Sequence, residues 1–326
     1  MTTTAALVWR DSDDRPTFTG GVVAAIGVFD GVHRGHRALL AKAKMQADYL
    51  RLPLVVVTFH PHPLSVLRPE VEPRHLATIG HRVRLLGACG VQAVRLLDFS
   101  AELSQLSPHD FVERVLVRQL GARHVVVGAN FRFGHRAEGD PAMLRDLGQD
   151  FGFDVDAEPL LHSDDGLIWS SSLIREALRR ADVETAAQGL GRNHRVDGVV
   201  VRGDGRGREL GFPTANIDPA GAGYGGPPAI PADGVYAGWV RQGRPGPQQQ
   251  RWPAAISVGT NPTFPGDRST RVEAHVLDHD DLDLYGRIVA AEFSHHLRPM
   301  ETYSDVSKLV AQMHNDVERV RDLTSD

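Results

Sequence analysis

Cysteine is nearly absent from this chain of 326 residues, because Cys89 is the only one. One thiol cannot form an internal disulfide, and it cannot supply the ligands of a cysteine-based zinc or iron-sulfur site. Long apolar runs are absent too, since none approaches the roughly 20 residues that a membrane helix needs. The first residues lack the charged-then-apolar layout of a secretion signal. We therefore expect a cytoplasmic protein without sulfur redox chemistry and without a membrane partner.

An excess of positive charge is also lacking. The 36 Lys and Arg residues are outnumbered by 41 Asp and Glu residues, which gives a formal net charge of -5. The basic residues are scattered, whereas nucleic-acid binders gather them on one face, so no nucleic-acid partner is expected. Apolar residues at 41% and charged residues at 24% exclude a disordered or fibrous chain. The length predicts two domains, and the sequence leaves a weak homo-oligomer open.

The first half of the chain alternates apolar runs with helical patterns. Runs rich in Val, Ile and Leu are typical of parallel strands buried on both faces. The pattern predicts a doubly wound α/β domain over residues 1–186. Its last element is expected to be a helix at 171–182, followed by a short helix and connector. Strands are expected at 22–29, 54–59, 93–99 and 124–129, and helices at 36–50 and 109–120.

The second half has short β-branched segments separated by Gly, Pro and Asp clusters. This spacing predicts an antiparallel barrel over residues 187–326. Segments 218–234 and 241–253, rich in Gly, Pro and Gln, are predicted to be surface loops. Strands are expected at 195–203, 234–240, 254–259, 271–278 and 287–293. A closing helix is expected to bury a stripe of Val306, Leu309, Val310, Met313, Val317 and Val320.

The stretch GVFDGVHRGHRALL, Gly27–Leu40, carries the first chemical signal. An apolar run stops at Asp30 and a helix is expected to begin near Arg34, where unpaired backbone N–H groups suit a phosphate. His33 and His36 lie there, and imidazole can donate a hydrogen bond as negative charge builds on a reacting phosphate. Spacing alone leaves an alternative open, two exposed histidines on a first turn. A zinc site lacks its general-base Glu.

The string GVFDGVHRGH resembles the signature of the nucleotidyltransferase superfamily. In that superfamily both histidines contact the phosphates of ATP and stabilise the transition state of nucleotidyl transfer, which implies catalytic roles for His33 and His36. The resemblance implies a Rossmann-like nucleotidyltransferase domain. It also implies that ATP and its phosphates are contacted by Gly27, Phe29, Asp30 and Gly31.

A later string, WSSSLIREAL, resembles the second motif of the same superfamily. It implies that Ser171 and Ser172 cap a helix and donate to phosphate, while Arg175 is a catalytic cation for the triphosphate. Ser172 stands where many relatives have Thr, and the hydroxyl is kept. On its own, such a stretch is usually a capped helix.

Two further strings, at 58–63 and 125–140, resemble flavin-side segments in the adenylyltransferase half of prokaryotic FAD synthetases. The resemblance implies that Asn130 and Phe131, together with Phe133, lie beside the isoalloxazine or the adenine. Packing of the two aromatic rings into the core is an equal alternative. No role is assigned to His60.

The stretch VRGDGRGRELGFPTANI, residues 201–217, is Gly-rich and can bring backbone N–H groups close to an anion, although it is not a Walker loop. Its Thr214 and Asn216 offer hard oxygen ligands of the kind that Mg²⁺ accepts. The string closely resembles the riboflavin kinase signature. The resemblance implies that Thr214 and Asn216 hold the Mg²⁺ of ATP and that Gly207 and Arg208 contact its phosphates.

A kinase that phosphorylates an alcohol benefits from a base near the attacking hydroxyl. Glu273 matches the family position of the catalytic glutamate that accepts the proton of the ribityl 5′-hydroxyl, whereas a lone Glu on a strand is otherwise an exposed residue. Arg298 stands where relatives place an arginine, which implies a flavin contact. The Asp run at 278–283 lacks the ligand pattern of a calcium loop and is predicted to be a solvated hairpin.

The resemblance runs from about Gly21 to the final helix and implies the family of bifunctional riboflavin kinase/FMN adenylyltransferases. The implied reactions convert riboflavin and ATP to FMN in the C-terminal domain, and FMN and ATP to FAD and pyrophosphate in the N-terminal domain. Mg²⁺ is the implied cofactor, and the partners are small molecules. Two alternatives remain, a catalytically silent flavin-binding or regulatory protein and a nucleotidyltransferase for another phosphorylated substrate.

Overall fold

The computed structural model describes residues 6–10, 16–203, 205–243, 249–260, 270–279, 282–303 and 305–325. The chain forms two compact units. The first contains Met1–Pro73, Ile79–Ser170 and Gly225–Pro227, and the second contains Arg74–Thr78, Ser171–Tyr224 and Pro228–Asp326. The division after Ser170 lies before the domain boundary expected near residue 186, which stays a prediction. Within the described ranges, every helix is too short or too polar to span a bilayer.

The first unit is built on a parallel sheet. Its strands are β1 (Leu7–Trp9), β2 (Val22–Ile26), β3 (Leu54–His60), β4 (Ala93–Asp98), β5 (Ala122–Gly128) and β6 (Asp154–Glu158). Its α-helices are α1 (Arg34–Leu50), α2 (Pro63–Leu67), α3 (Ile79–Ala88), α4 (Ala101–Ser104), α5 (Pro108–Phe111) and α6 (Pro141–Phe151), and a π-helical segment, Val112–Gln119, follows α5. The strand order is β1-β4-β3-β2-β5-β6. This sheet confirms the predicted doubly wound α/β fold.

Complete burial explains why the apolar runs form the middle of this sheet. Every residue of β2 is buried, and Ala24 pairs with Val55 on one side and with Val125 on the other. From β2 the chain adds β3 and β4 towards one edge, and later β5 and β6 towards the other. In such sheets ligands bind where the strand order reverses, outside the carboxyl ends of the strands. The reversal places that crevice beyond the ends of β2 and β5.

The second unit is a closed antiparallel barrel, as predicted. Its strands are β7 (His194–Val201), β8 (Ala215–Asp218), β9 (Gly234–Gln242), β10 (Gln250–Thr260), β11 (Thr270–Val276) and β12 (Ile288–Arg298), in the order β10-β11-β8-β7-β12-β9. Its helices are α7 (Ser171–Arg179), α8 (Val183–Leu190), α9 (Arg206–Glu209) and α10 (Val306–Thr324). Ile174 and Leu178 of α7 belong to the same buried core as Val196 and Val200 of β7. This shared core explains why α7 groups with the barrel.

Helix α10 packs on the outside of the barrel with only part of its predicted stripe. Val317 and Val320 share a buried cluster with Phe212 and Val235. Val306, at the start of the helix, is 62% exposed, so the expectation that the whole stripe is core was wrong at that end. The first turn of α10 lies beyond the apolar surface that the later turns cover.

The two predicted loops are more ordered than their composition indicates. In segment 218–234, Tyr224 is buried and its hydroxyl accepts a hydrogen bond from the backbone N–H of Asp197 at 2.7 Å. In segment 241–253, both ends extend β9 and β10, and 244–248 lie outside the described residues. The prediction of wholly irregular surface loops was therefore wrong. In the predicted hairpin at 278–283, residues 280 and 281 lie outside the described ranges.

Candidate active sites

The start of α1 brings His33 and His36 together. His33 is the N-cap of the helix, and its Nδ1 accepts a hydrogen bond from the backbone N–H of His36 at 3.3 Å. The neutral His33 ring therefore carries its proton on Nε2, where it can donate. The two rings stack with centroids 3.6 Å apart. His33 is only 6% exposed, so the alternative of two exposed histidines on a first turn fails for this residue.

Gly35, between the two histidines, allows this packing. A Cβ at this position would lie 3.1 Å from Cε1 of His33 and 3.1 Å from the carbonyl oxygen of Trp169. Both distances are shorter than ordinary van der Waals contact, so a larger side chain would displace the His33 ring. The glycine of the HRGH string thus has a steric role.

The segment that leads from β2 into α1 has strained backbone. Phe29 has φ +52° and Val32 has φ +41°, in a region that a β-branched residue rarely occupies. Such backbone costs on the order of 1–3 kcal/mol per residue and is concentrated at functional sites. Phe29 is fully buried, and its ring lies 5.1 Å from the ring of His36. The strained segment therefore contacts the predicted catalytic side chain directly.

The side chain of Asp30 is buried, and its predicted contact with ATP stays a prediction. Asp30 is 1% exposed, and its Oδ1 lies 3.5 Å from Nη2 of Arg82. Arg82 was not predicted as a site residue, although its position could have indicated one. Arg82 stands four residues before Leu86 on the buried face of α3. A charged residue on an apolar helix face usually has a partner.

The carboxyl end of β5 carries the predicted flavin segment. Asn130 is exposed just beyond the strand, and Phe131 is half-buried. The ring of Phe131 stacks on that of Phe133 at 5.5 Å, and Phe133 is 6% exposed in the sheet core. Phe133 thus takes the alternative of core packing. Asn130 and Phe131 follow the carboxyl end of β5, next to that of β2, and their flavin contact stays a prediction.

His60 lies at the carboxyl end of β3, the strand on the other side of β2 from β5. Burial, followed by the positive charges of Arg10 and Arg82, holds the pKa of His60 below its ordinary value, while Asp98 acts in the opposite direction. These effects favour the neutral form of the His60 ring.

The predicted site residues of the second motif, Ser171, Ser172 and Arg175, lie in the second compact unit. Ser171 begins α7 and is half-buried, while Ser172 is exposed. The Nε of Arg175 donates to the backbone carbonyl of Arg74 at 2.6 Å. Since the site residues of the two motifs fall in different units, the joint ATP site that the resemblance implies stays a prediction.

In the barrel, the riboflavin kinase-like string and Glu273 meet across neighbouring strands. Asn216 of β8 pairs in register with Glu273 of β11, and Glu273 pairs on its other side with Ser257 of β10. Directly opposed residues in antiparallel strands have Cβ atoms about 5 Å apart. Gly203 packs tightly here, because a Cβ on it would lie 2.3 Å from Nδ2 of Asn216. Asn216, Glu273 and Ser257 therefore form a polar row on the barrel.

A small pocket opens near these strands, and its wall includes Ala215 and Ala274, whose side chains alternate with those of Asn216 and Glu273. Thr214, which precedes β8, and Arg208 of α9 lie on its wall with Tyr285 and several apolar side chains. Gly207 lies in α9 beside Arg208 and accepts, through its carbonyl, a hydrogen bond from the N–H of Phe212 at 2.8 Å.

Arg298, the predicted flavin ligand, binds α10. Its Nη2 lies 2.8 Å from Oδ2 of Asp316, and its Nε lies 3.0 Å from the same oxygen. Burial lowers the pKa of Arg298, but the hydrogen bond and charge of Asp316 outweigh it and raise the pKa above the ordinary value. The contacts give Arg298 a structural role at the helix-barrel junction, and its flavin contact stays a prediction.

Comparisons with known proteins match both parts of the chain. Residues 15–172 match the family model of FAD synthetase, and residues 190–324 match that of riboflavin kinase. A bifunctional riboflavin kinase/FMN adenylyltransferase from Pseudomonas fluorescens is 37% identical, over 94% of this chain and 94% of the relative. Proteins described in the same words from Escherichia coli K12 and Bacillus subtilis are 34% identical (91% of this chain, 90% of the relative) and 32% identical (90% of each).

A solved structure agrees over nearly the whole chain. A crystal structure described as a macrolide-efflux protein from Streptococcus pneumoniae superposes with a TM-score of 0.83 at 31% identity, covering 97% of this chain and 99% of the other. The order of sheet and barrel is therefore shared along the full length.

Proposed function

The chain belongs to the family of bifunctional riboflavin kinase/FMN adenylyltransferases, and from this premise we propose which residues carry each reaction. The enzyme phosphorylates riboflavin to FMN with ATP and adenylylates FMN to FAD with a second ATP. The alternatives of another phosphorylated substrate or of a silent flavin binder are disfavoured by the paired family matches. The expected cytoplasmic location and a weak homo-oligomer stay predictions.

In adenylyl transfer, an oxygen of the FMN phosphate attacks the α-phosphorus of ATP, and the bond to the departing pyrophosphate breaks. His33 and His36 stabilise the negative charge that builds on the phosphates. The observation that supports this role is their stacking at the start of α1, where the helix dipole also favours an anion. Asn130 and Phe131 bind the flavin at the end of β5. Gly27, Phe29, Asp30 and Gly31 form the turn that is proposed to contact ATP and its phosphates.

Ser171, Ser172 and Arg175 are proposed to contact the triphosphate in the same reaction. The hydroxyl groups are donors, and the guanidinium is a planar cation suited to phosphate oxygens. The Nε of Arg175 donates to the backbone carbonyl of Arg74, which holds the guanidinium beside the start of α7.

In riboflavin phosphorylation, the ribityl 5′-oxygen attacks the γ-phosphorus of ATP, and the bond from this phosphorus to the departing ADP breaks. Glu273 is proposed to accept the proton of the attacking hydroxyl. The single observation that carries this assignment is the register of Glu273 opposite Asn216. Glu273 is thus next to the stretch that resembles the riboflavin kinase signature. The pocket next to Thr214, with Arg208 on its wall and Gly207 in the preceding helix, is proposed to hold the nucleotide.

Thr214 and Asn216 fit a magnesium ion. Their hydroxyl and amide oxygens are hard ligands, and the carboxylate of Glu273 lies on the neighbouring strand. Bound there, Mg²⁺ would neutralise charge on the ATP phosphates. The close contact of Gly203 with the Asn216 side chain keeps this ligand in place.

The two assignments separate under mutation. The assay follows riboflavin, FMN and FAD by chromatography after adding ATP and Mg²⁺ to the full chain. A variant with both His33→Ala and His36→Ala is expected to accumulate FMN without FAD, and Glu273→Gln is expected to adenylylate added FMN while failing to phosphorylate riboflavin. The activity that each variant retains shows that the variant is folded. Loss of both activities in a folded variant would refute the division of residues.

A further inference from the structure

A buried arginine of the first unit, Arg82, contacts the strained segment from both sides of its bend. Arg82 lies in α3 and is 3% exposed. Its Nη1 donates to the carbonyl oxygen of Val28 at 3.2 Å, and its Nη2 lies 3.5 Å from Oδ1 of Asp30. The guanidinium therefore holds the residues immediately before and after Phe29.

The carbonyl of Val28 receives a second donor. The hydroxyl of Thr58, on β3, donates to it at 2.8 Å. Strained backbone persists only where the surrounding structure over-determines it. The side chains of Arg82 and Thr58 hold the carbonyl of Val28, and the ion pair with Arg82 holds the carboxylate of Asp30. These contacts account for the positive φ of Phe29.

From Phe29 the contacts lead to the histidines. The buried ring of Phe29 lies 5.1 Å from the ring of His36, and His36 stacks on His33 at 3.6 Å. Each step is a ring contact in a packed interior, where a displaced side chain moves its neighbour. A shift of the backbone at Val28–Asp30 would therefore be transmitted to both imidazoles.

We propose that Arg82 is a positioning residue for adenylyl transfer: it holds Val28–Asp30 so that Phe29 fixes the rings of His36 and His33. The inference rests on the proposed role of these histidines. The charge of Arg82 is paired with that of Asp30, so Arg82 is proposed to contribute to catalysis by fixing the position of these residues. Arg82 is not proposed to contact ATP or FMN.

The first test is steady-state kinetics of FMN adenylylation by the full chain. Misplacing a catalytic group by about 1 Å costs on the order of 100-fold in rate, so Arg82→Met is expected to lower kcat about 100-fold and to leave the KM of FMN and ATP within about threefold. Arg82→Lys keeps the charge but cannot reach both acceptors, and an intermediate loss is expected. Riboflavin kinase activity of the same variants is the folding control and is expected to be unchanged.

The kinetic route is checked in a second background. If Arg82 acts through the histidines, adding Arg82→Met to a His36→Ala chain should lower kcat by less than about twofold. The His36 ring, through which Arg82 is proposed to act, is already absent from that chain. Equal losses in both backgrounds would overturn the proposal. So would a lower Tm with unchanged kcat, because that is the result expected of a purely structural residue.

Crystal structures of the parent and of Arg82→Lys provide a readout without activity. The proposal requires displaced Phe29 and His36 rings above an unchanged sheet, and unmoved rings would overturn it. If Arg82→Met does not fold, Thr58→Val replaces it, since this variant removes only one donor to Val28 and is expected to lower kcat severalfold. A parent chain that makes no FAD would refute the proposed function, while the crystal structures would still decide the positioning role.

Discussion

Replacing Asp316 by Asn is expected to loosen α10 from the barrel. Asp316 is 3% exposed and accepts from Arg298, whose side chain is 14% exposed, and from Nε2 of Gln312 at 2.9 Å. Removing one charge of a buried ion pair costs about 3–5 kcal/mol. Because Arg298 retains some contact with water, we expect the lower end, about 3 kcal/mol. Since about 1.4 kcal/mol is tenfold in an equilibrium, amide exchange in α10 should accelerate roughly 100-fold.

Hydrogen exchange read by mass spectrometry measures this change, because peptides from α10 and from the barrel strands can be followed separately. The control is a variant with Arg298→Met and Asp316→Leu together, which leaves neither charge buried and should recover most of the protection. Equal exchange of α10 in the single and double variants would refute the reasoning. The double variant also tests Arg298 as a flavin ligand: recovered protection with a raised KM for riboflavin would support that role.

Two further predictions concern the first unit. Gly35→Ala is expected to lower kcat for FAD formation about tenfold with riboflavin kinase unchanged, because the added methyl group crowds His33 and the carbonyl of Trp169; an unchanged FAD rate would contradict the steric role. Asp140 caps α6, and the hydrogen bond from the backbone N–H of Met143 is the main cause that lowers its pKa below 3.8, with burial opposing. The stabilisation by the Asp140 carboxylate is present above the unfolded-state pKa and is lost as pH falls through the folded-state pKa. Below pH 3.8, the Tm of Asp140→Asn should therefore fall less steeply with pH than the Tm of the parent. Parallel curves of Tm against pH would contradict this prediction.

The buried strands were predictable because hydrophobicity alone identifies them. Strands such as β2 consist of apolar residues, and every residue of β2 is buried. Strand β6, Asp154–Glu158, contains three acidic residues and no apolar run, so only its pairing with β5 at the edge of the sheet makes it a strand. Strand β8 was hidden for another reason, since Ala215–Asp218 follows a Gly-rich stretch and is defined by its partners β7 and β11.

Residue types at the candidate sites were predictable, whereas their contacts were not. The spacing of His33 and His36 indicated a helix start but not that the rings stack. Asp30 was expected at phosphate, and its burial against Arg82 depends on a helix 52 residues later in the chain. Arg298 likewise has its partner in α10. Interactions between distant segments leave little trace in local sequence, because either partner alone is an ordinary surface residue type.

The unfavourable backbone of Val32, which is 1% exposed at φ +41°, limits how this enzyme can be stabilised. Glycine adopts positive φ at no steric cost, but Val32→Gly would lose a buried side chain, which costs at least as much as the strain that it relieves. The bend before α1 would then have a wider choice of conformations. A variant with this bend relaxed is expected to accumulate FMN, so a screen for thermal survival should score FAD formation as well as stability.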